Sequence, residues 1–104
     1  MDRDETMIGV LLEERALSID ELARACHCEP RWIVDHIESG VLECTVVATG
    51  ERRFTSAAMV RARRLLSIER TFEADAELAA LAVDLIEEVE ALRRQLSAAR
   101  LGKR

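Results

Sequence analysis

The chain has 104 residues, of which 49% are hydrophobic, with one Pro and four Gly, a composition that folds into a small domain and excludes a disordered segment. Twenty acidic residues outweigh 15 basic ones, so a net charge of -5 excludes a uniformly basic nucleic-acid binder and leaves only a local patch for that role. An odd count of three Cys fits reduced cytosolic thiols rather than a disulfide framework, no apolar run reaches membrane-spanning length, and "MDRDETMIGVLLEE" lacks the basic lead of a secretory signal.

Residues 6–17, "TMIGVLLEERAL", are predicted to be an edge strand feeding the first helix. Ser18 is a cap for "IDELARAC", and Glu21, three residues on, completes a capping box. Leu22, Ala23 and Cys26 then share the buried face. After the break "CHCE", Pro30 opens a second helix, where its missing N–H costs little. Ile33, Val34 and Ile37 form the inward stripe of this helix, with His36 at the surface or half-buried. Gly40 terminates it and Val41 and Leu42 return to the core. Two short helices joined this way read as a helix-turn-helix.

Over residues 43–54, "ECTVVATGERRF", the period changes. The β-branched Thr45, Val46 and Val47, a "TGE" turn and the returning "RRF" predict a small hairpin, or wing. Thr55 or Ser56 caps a third helix, "AAMVRARRLLSIERTF", whose Met59, Val60, Leu65, Leu66 and Ile68 supply an apolar side. The last helix is predicted over about 75–99. Its Leu78, Ala82, Leu85, Val89, Leu92, Leu96 and Ala99 are spaced 4-3-4-3-4-3, the seam of a coiled coil, and Leu81 and Ile86 broaden it. The seam predicts a homodimer with antiparallel helices; the alternative is a helix folded back on its own domain.

Charge is segregated along the chain. Residues 17–45 hold six acids and two Arg, whereas residues 51–70 hold two acids and six Arg. A DNA reader needs phosphate neutralisation and donors that reach base edges. On the second helix only Arg31 and His36 are strong donors, and Asp35 and Glu38 repel phosphate. Arg52, Arg53, Arg61, Arg63, Arg64 and Arg70 are candidate backbone contacts, or a solvated face that balances the acidic helices. Trp32, the single Trp, is expected at least partly exposed, as a protein-interface anchor or packed against the wing or the N-terminal segment.

Cys26, His27, Cys28 and Cys44 lack the spacing of a structural zinc site, and Cys26 fits a buried helix position. Without a Gly-rich phosphate loop or a nucleophile motif, an enzyme is not expected, nor a metal or other cofactor.

The stretch "SIDELARACHCEPRWIVDHIESGVL", followed by "GERRFTSAAMVRARRLLSI", resembles the MerR-type winged helix-turn-helix. DNA-binding members carry an Ile-Arg-aromatic-aromatic run on the second helix; the matching residues here are Ile33, Val34, Asp35 and His36, and the Arg is missing. The segment "RRFTSAAMVRARRLLSIERTFEADAELAALAVDLIEEVEALRRQL" is in turn similar to the CbpM family of chaperone modulators. The marks are Phe54 before the third helix, the Arg-bearing helix, and "LAVDLIEEVEALR", within a resemblance covering roughly residues 15–98. Arg52 stands where that family often has an aromatic.

The resemblance implies a mainly α fold. A winged helix-turn-helix domain with a small β wing would span 6–70, and a coiled-coil dimerisation helix 74–101. It implies a cytoplasmic protein, associated with the nucleoid through its partner, that binds the J-domain of a DnaJ/CbpA-like co-chaperone and inhibits it by covering the Hsp70-facing surface. By their helix position and charge, Trp32, Asp35 and Glu38 are the expected partner-binding residues, and by the seam spacing Leu78, Leu85, Val89, Leu92 and Leu96 are the dimerisation residues. Arg52, Arg53, Arg61 and Arg64 remain for weak nucleic-acid contact, or for a MerR-type transcriptional regulator as the alternative function.

Overall fold

Ser18 caps α1 (Ile19–Cys26). Its Oγ accepts the Glu21 N–H at 3.2 Å and its own N–H donates to the Glu21 carboxylate at 2.9 Å, the predicted capping box. His27, in the left-handed conformation with φ 56°, turns the chain out of α1; its N–H and that of Cys28 donate to the last carbonyls of the helix. The chain then enters α2 (Pro30–Glu38) through Pro30 in the first turn. Gly40, with φ 81°, reverses the chain after α2, and the N–H groups of Val41 and Leu42 both donate to the His36 carbonyl. These details come from a computed structural model that describes residues 16–102.

The wing is an antiparallel pair, β1 (Thr45–Val46) and β2 (Arg52–Arg53), with Thr45 opposite Arg53 and Val46 opposite Arg52. Gly50 takes φ 90° in its turn, a conformation that side chains resist. Leu17 and Phe54 exchange N–H···O bonds of 2.8 Å in each direction, so the segment before α1 does meet the wing. Most of the strand predicted over 6–17 lies outside the described residues.

Thr55 is the residue that caps α3 (Ser56–Phe72), its hydroxyl accepting the Ala58 N–H at 3.1 Å. Glu73 ends it with φ 51°. Asp75 accepts the Leu78 N–H at 2.8 Å and opens α4 (Ala76–Gly102), 27 residues long. The observed helix runs slightly past the predicted end.

The core gathers Leu22, Ala23 and Cys26 of α1, Ile33 of α2, then Leu42 and Phe54. Ala62, Leu65 and Leu66 of α3 and Ala79 and Val83 of α4 complete it. Helix α3 is the centre, with α1 and α4 packed on it. Fully buried alanines on both α3 and α4 suit a close approach of the two helices. Val60, expected on the apolar side of α3, is exposed instead. Ala62, Leu65 and Leu66 lie three and four residues apart and define the inward face, and Val60 falls on the opposite side of that helix. The fold is therefore mainly helical with a small hairpin and a long C-terminal helix. No helix among the described residues is long and apolar enough to cross a membrane.

Candidate protein-binding surface

Helix α2 presents Arg31, Asp35 and Glu38 on one exposed face, as their three- and four-residue spacing requires. Arg31 Nε donates to Asp35 at 3.2 Å, but the two side chains are 83% and 54% exposed. An ion pair that open contributes little, so Asp35 remains available to another partner. The base-reading position of a helix-turn-helix is thus acidic on its outer surface.

Trp32 sits beside this face and is partly buried. Its expected packing against the wing or the N-terminal segment gives way to a contact with α3: the indole Nε1 donates to Glu69 Oε1 at 2.9 Å. The ring also stacks on His36, with centroids 3.7 Å apart and planes 25° from parallel. His36, expected at or near the surface, is only 6% exposed. Its burial is supported by partners at both ring nitrogens, Nδ1 at 2.7 Å from the Trp32 carbonyl and Nε2 at 2.8 Å from Glu69 Oε2. Both partners are acceptors, and the ring completes both bonds together only when both nitrogens carry hydrogen. Sequence reasoning missed this cluster. The available signal was a Trp and a His four apart on one helix, with a lone Glu near the end of an Arg-rich helix.

The arginines that the charge count separated from the acids are largely engaged with neighbouring elements. Arg61 donates to the Val41 carbonyl at 2.8 Å and reaches Glu87 at 2.9 Å and Asp84 at 3.0 Å. Burial opposes its charge, but the bonds to Glu87 and Asp84 outweigh that and hold its pKa above the usual arginine value. Arg64 grips Glu90 through two bonds, of 3.1 and 2.6 Å, which raise the pKa of the guanidinium and lower that of the carboxyl. Arg63 and Arg70 donate to the carbonyls of Ala25 and His27, where α1 ends. Arg53 pairs with Glu51 at 2.7 Å. The expectation of a solvated arginine face is corrected for Arg61 and Arg64, which hold α4, whereas Arg63 and Arg70 stay exposed while donating to the end of α1. Arg52 lies on the wing, half-buried, with no hydrogen bond or ion pair from its side chain among the described residues.

Cys26, Cys28 and Cys44 are free thiols whose pKa values burial pushes up, which disfavours the thiolate needed for nucleophilic or metal chemistry. No group of three or more His, Cys, Asp or Glu side chains among the described residues is placed to hold a metal.

A second surface lies on α4. Ala79 and Val83 face the core, and Glu87 and Glu90 meet the α3 arginines. The seam residues point away, with Leu78, Leu85, Val89, Leu92 and Leu96 between 45% and 60% exposed. The helix therefore packs on its own domain by one face while a continuous leucine stripe stays open on another. Leu81 and Ile86 widen that stripe.

Two short helices, a hairpin wing and a long C-terminal helix make up a winged helix-turn-helix with a helical extension. The model of the MerR HTH family regulatory protein matches residues 17–100, and the chain belongs to that family. Within it the chain is homologous to chaperone modulatory proteins named CbpM. Those of Coxiella burnetii strains Dugway 5J108-111, RSA 331 / Henzerling II and CbuG_Q212 are each 28% identical to it over 89 residues, covering 85% of this chain and 84% of theirs. No solved structure matches. The chain thus carries a helix-turn-helix scaffold and is similar to chaperone modulatory proteins over most of its length.

Proposed function

We propose that the protein is a non-catalytic modulator that binds the J-domain of a DnaJ/CbpA-like co-chaperone through α2 and inhibits it by covering the surface that faces Hsp70. The observation that carries this reading is the outer face of α2, where exposed Asp35 and Glu38 stand beside a fixed Trp32. An acidic face with an aromatic at its edge suits a basic protein helix, since opposite potentials favour encounter and orientation and a packed indole supplies contact area. Phosphate would be repelled from the same place. Homology to proteins named for chaperone modulation supports the choice of partner class.

The reading includes a homodimer formed through Leu78, Leu85, Val89, Leu92 and Leu96, whose exposure on α4 is otherwise costly. Antiparallel pairing of α4 is favoured by charge: its start follows Glu73 and Asp75 and holds Glu77, while Arg93, Arg94 and Arg100 lie toward its end. Antiparallel helices lay the basic end along the acidic start.

A second reading, a DNA-binding regulator, is favoured by Arg52, which is free among the described residues and placed on the wing. One experiment separates the two. Calorimetry against the J-domain of the same organism is run beside binding to mixed duplex DNA at two salt concentrations. Saturable J-domain binding with feeble DNA binding that salt erases supports the modulator, and sequence-selective DNA binding defeats it.

A further inference from the structure

We infer that Glu69 and His36 are positioning residues for Trp32, fixing the indole in the orientation in which it meets a partner protein. The inference rests on the proposed role of α2 and extends it to two side chains, one of them on a different helix. A Trp on a helix surface ordinarily samples several rotamers, and a partner must select one of them at an entropic cost. Here two contacts remove that freedom. Glu69 Oε1 holds the indole N–H at 2.9 Å, and the His36 ring lies against the indole at 3.7 Å between centroids.

The support is itself held. His36 joins Glu69 Oε2 at 2.8 Å and the Trp32 carbonyl at 2.7 Å, so one carboxylate engages Trp32 through one oxygen and His36 through the other. The His36 and Glu69 side chains are 7% and 17% exposed, and a bond shielded to that degree persists where an open one would compete with water. Trp32 remains partly exposed and borders the Asp35 face. Its single polar atom is already bonded within the protein, so the ring offers a partner apolar area and a π face, without a hydrogen bond.

The test uses the full chain and its lone Trp as a probe. In the free protein, Glu69→Ala is expected to lower the fluorescence anisotropy of Trp32 and to speed exchange of the indole N–H with water. Glu69→Gln, which keeps an acceptor for that N–H, is expected to stay near wild type and serves as the variant most certain to fold. Against the J-domain, Glu69→Ala is expected to weaken binding by about tenfold, within the range seen when an anchor loses its support. Combining it with Trp32→Ala is expected to weaken binding no further than Trp32→Ala alone. Unchanged anisotropy and exchange in Glu69→Ala would overturn the inference. So would a full additional loss from that change in the Trp32→Ala background. If the wild-type chain does not bind the J-domain at all, the proposed partner is wrong, and the free-protein measurements still decide whether Glu69 holds the ring.

Discussion

Phe54 is wholly buried at the junction of the wing with the segment before α1, and it is the largest fully buried side chain among the described residues. Phe54→Ala should destabilise the fold by roughly 3–5 kcal/mol, a loss that urea titration would measure. Glu73 presents the opposite case. It ends α3 at φ 51°, a conformation that costs a residue with a Cβ on the order of 1 kcal/mol, and its side chain is exposed. Glu73→Gly is expected to raise the melting temperature or leave it level, because relief of the left-handed strain offsets the greater freedom of Gly in the unfolded chain. A marked fall in melting temperature would show that the Glu73 side chain makes a stabilising contact. Neither effect follows from residue type alone, since Glu73 is unremarkable until its φ is known.

At the scale of elements, the docking of α4 on α3 combines a small apolar contact with an ionic one. Ala79 and Val83 supply the buried area, and Arg61 and Arg64 reach Asp84, Glu87 and Glu90 beyond it. The bond to Arg64 lowers the pKa of Glu90 in the folded chain. A carboxyl whose folded pKa is depressed contributes stability above its unfolded value, and that contribution is lost as the pH falls through the folded value. The melting temperature of Glu90→Gln should therefore lie below wild type at neutral pH, and the gap should close as the solution is made acid enough to protonate the folded carboxyl. A constant gap across that window would mean that the Glu90 carboxylate is not stabilised by the fold. The Ser18 capping box and the Gly40 exit of the helix-turn-helix were legible in the sequence because they join residues three or four apart. The α3 clamps were not, because Arg64 and Glu90 are 26 residues apart and Arg70 and His27 are 43 apart. A count of charges by segment sees the separation of signs and misses their pairing.

For the whole molecule the two exposed surfaces make separable predictions. Leu85→Asp places a charge in the centre of the leucine stripe in both copies of a dimer. It should weaken self-association at least tenfold, read by sedimentation, because each copy loses apolar burial worth roughly 1–2 kcal/mol and gains a charge to desolvate. A chain that sediments as a monomer before any change would defeat the dimer outright. Reversing Asp35 and Glu38 to Lys should leave the dimer and the melting temperature near wild type and weaken J-domain binding several-fold, with a smaller effect at high salt. Unchanged affinity in that variant would move the partner surface away from α2.

The sequence by itself determined the order of the elements, their caps, the hairpin and the leucine stripe, because each is written in spacings shorter than about two helical turns. It also marked the outer face of α2 as acidic, with Asp35 and Glu38. Tertiary structure alone decided which side of α3 is inner, sending Ala62 in and Val60 out. It buried His36 against Glu69 and Trp32, and it turned the α3 arginines onto carbonyls of α1 and carboxylates of α4. The last two share one physical reason. A polar side chain can be buried once distant parts of the chain bring it a partner, and no local pattern records where that partner will be.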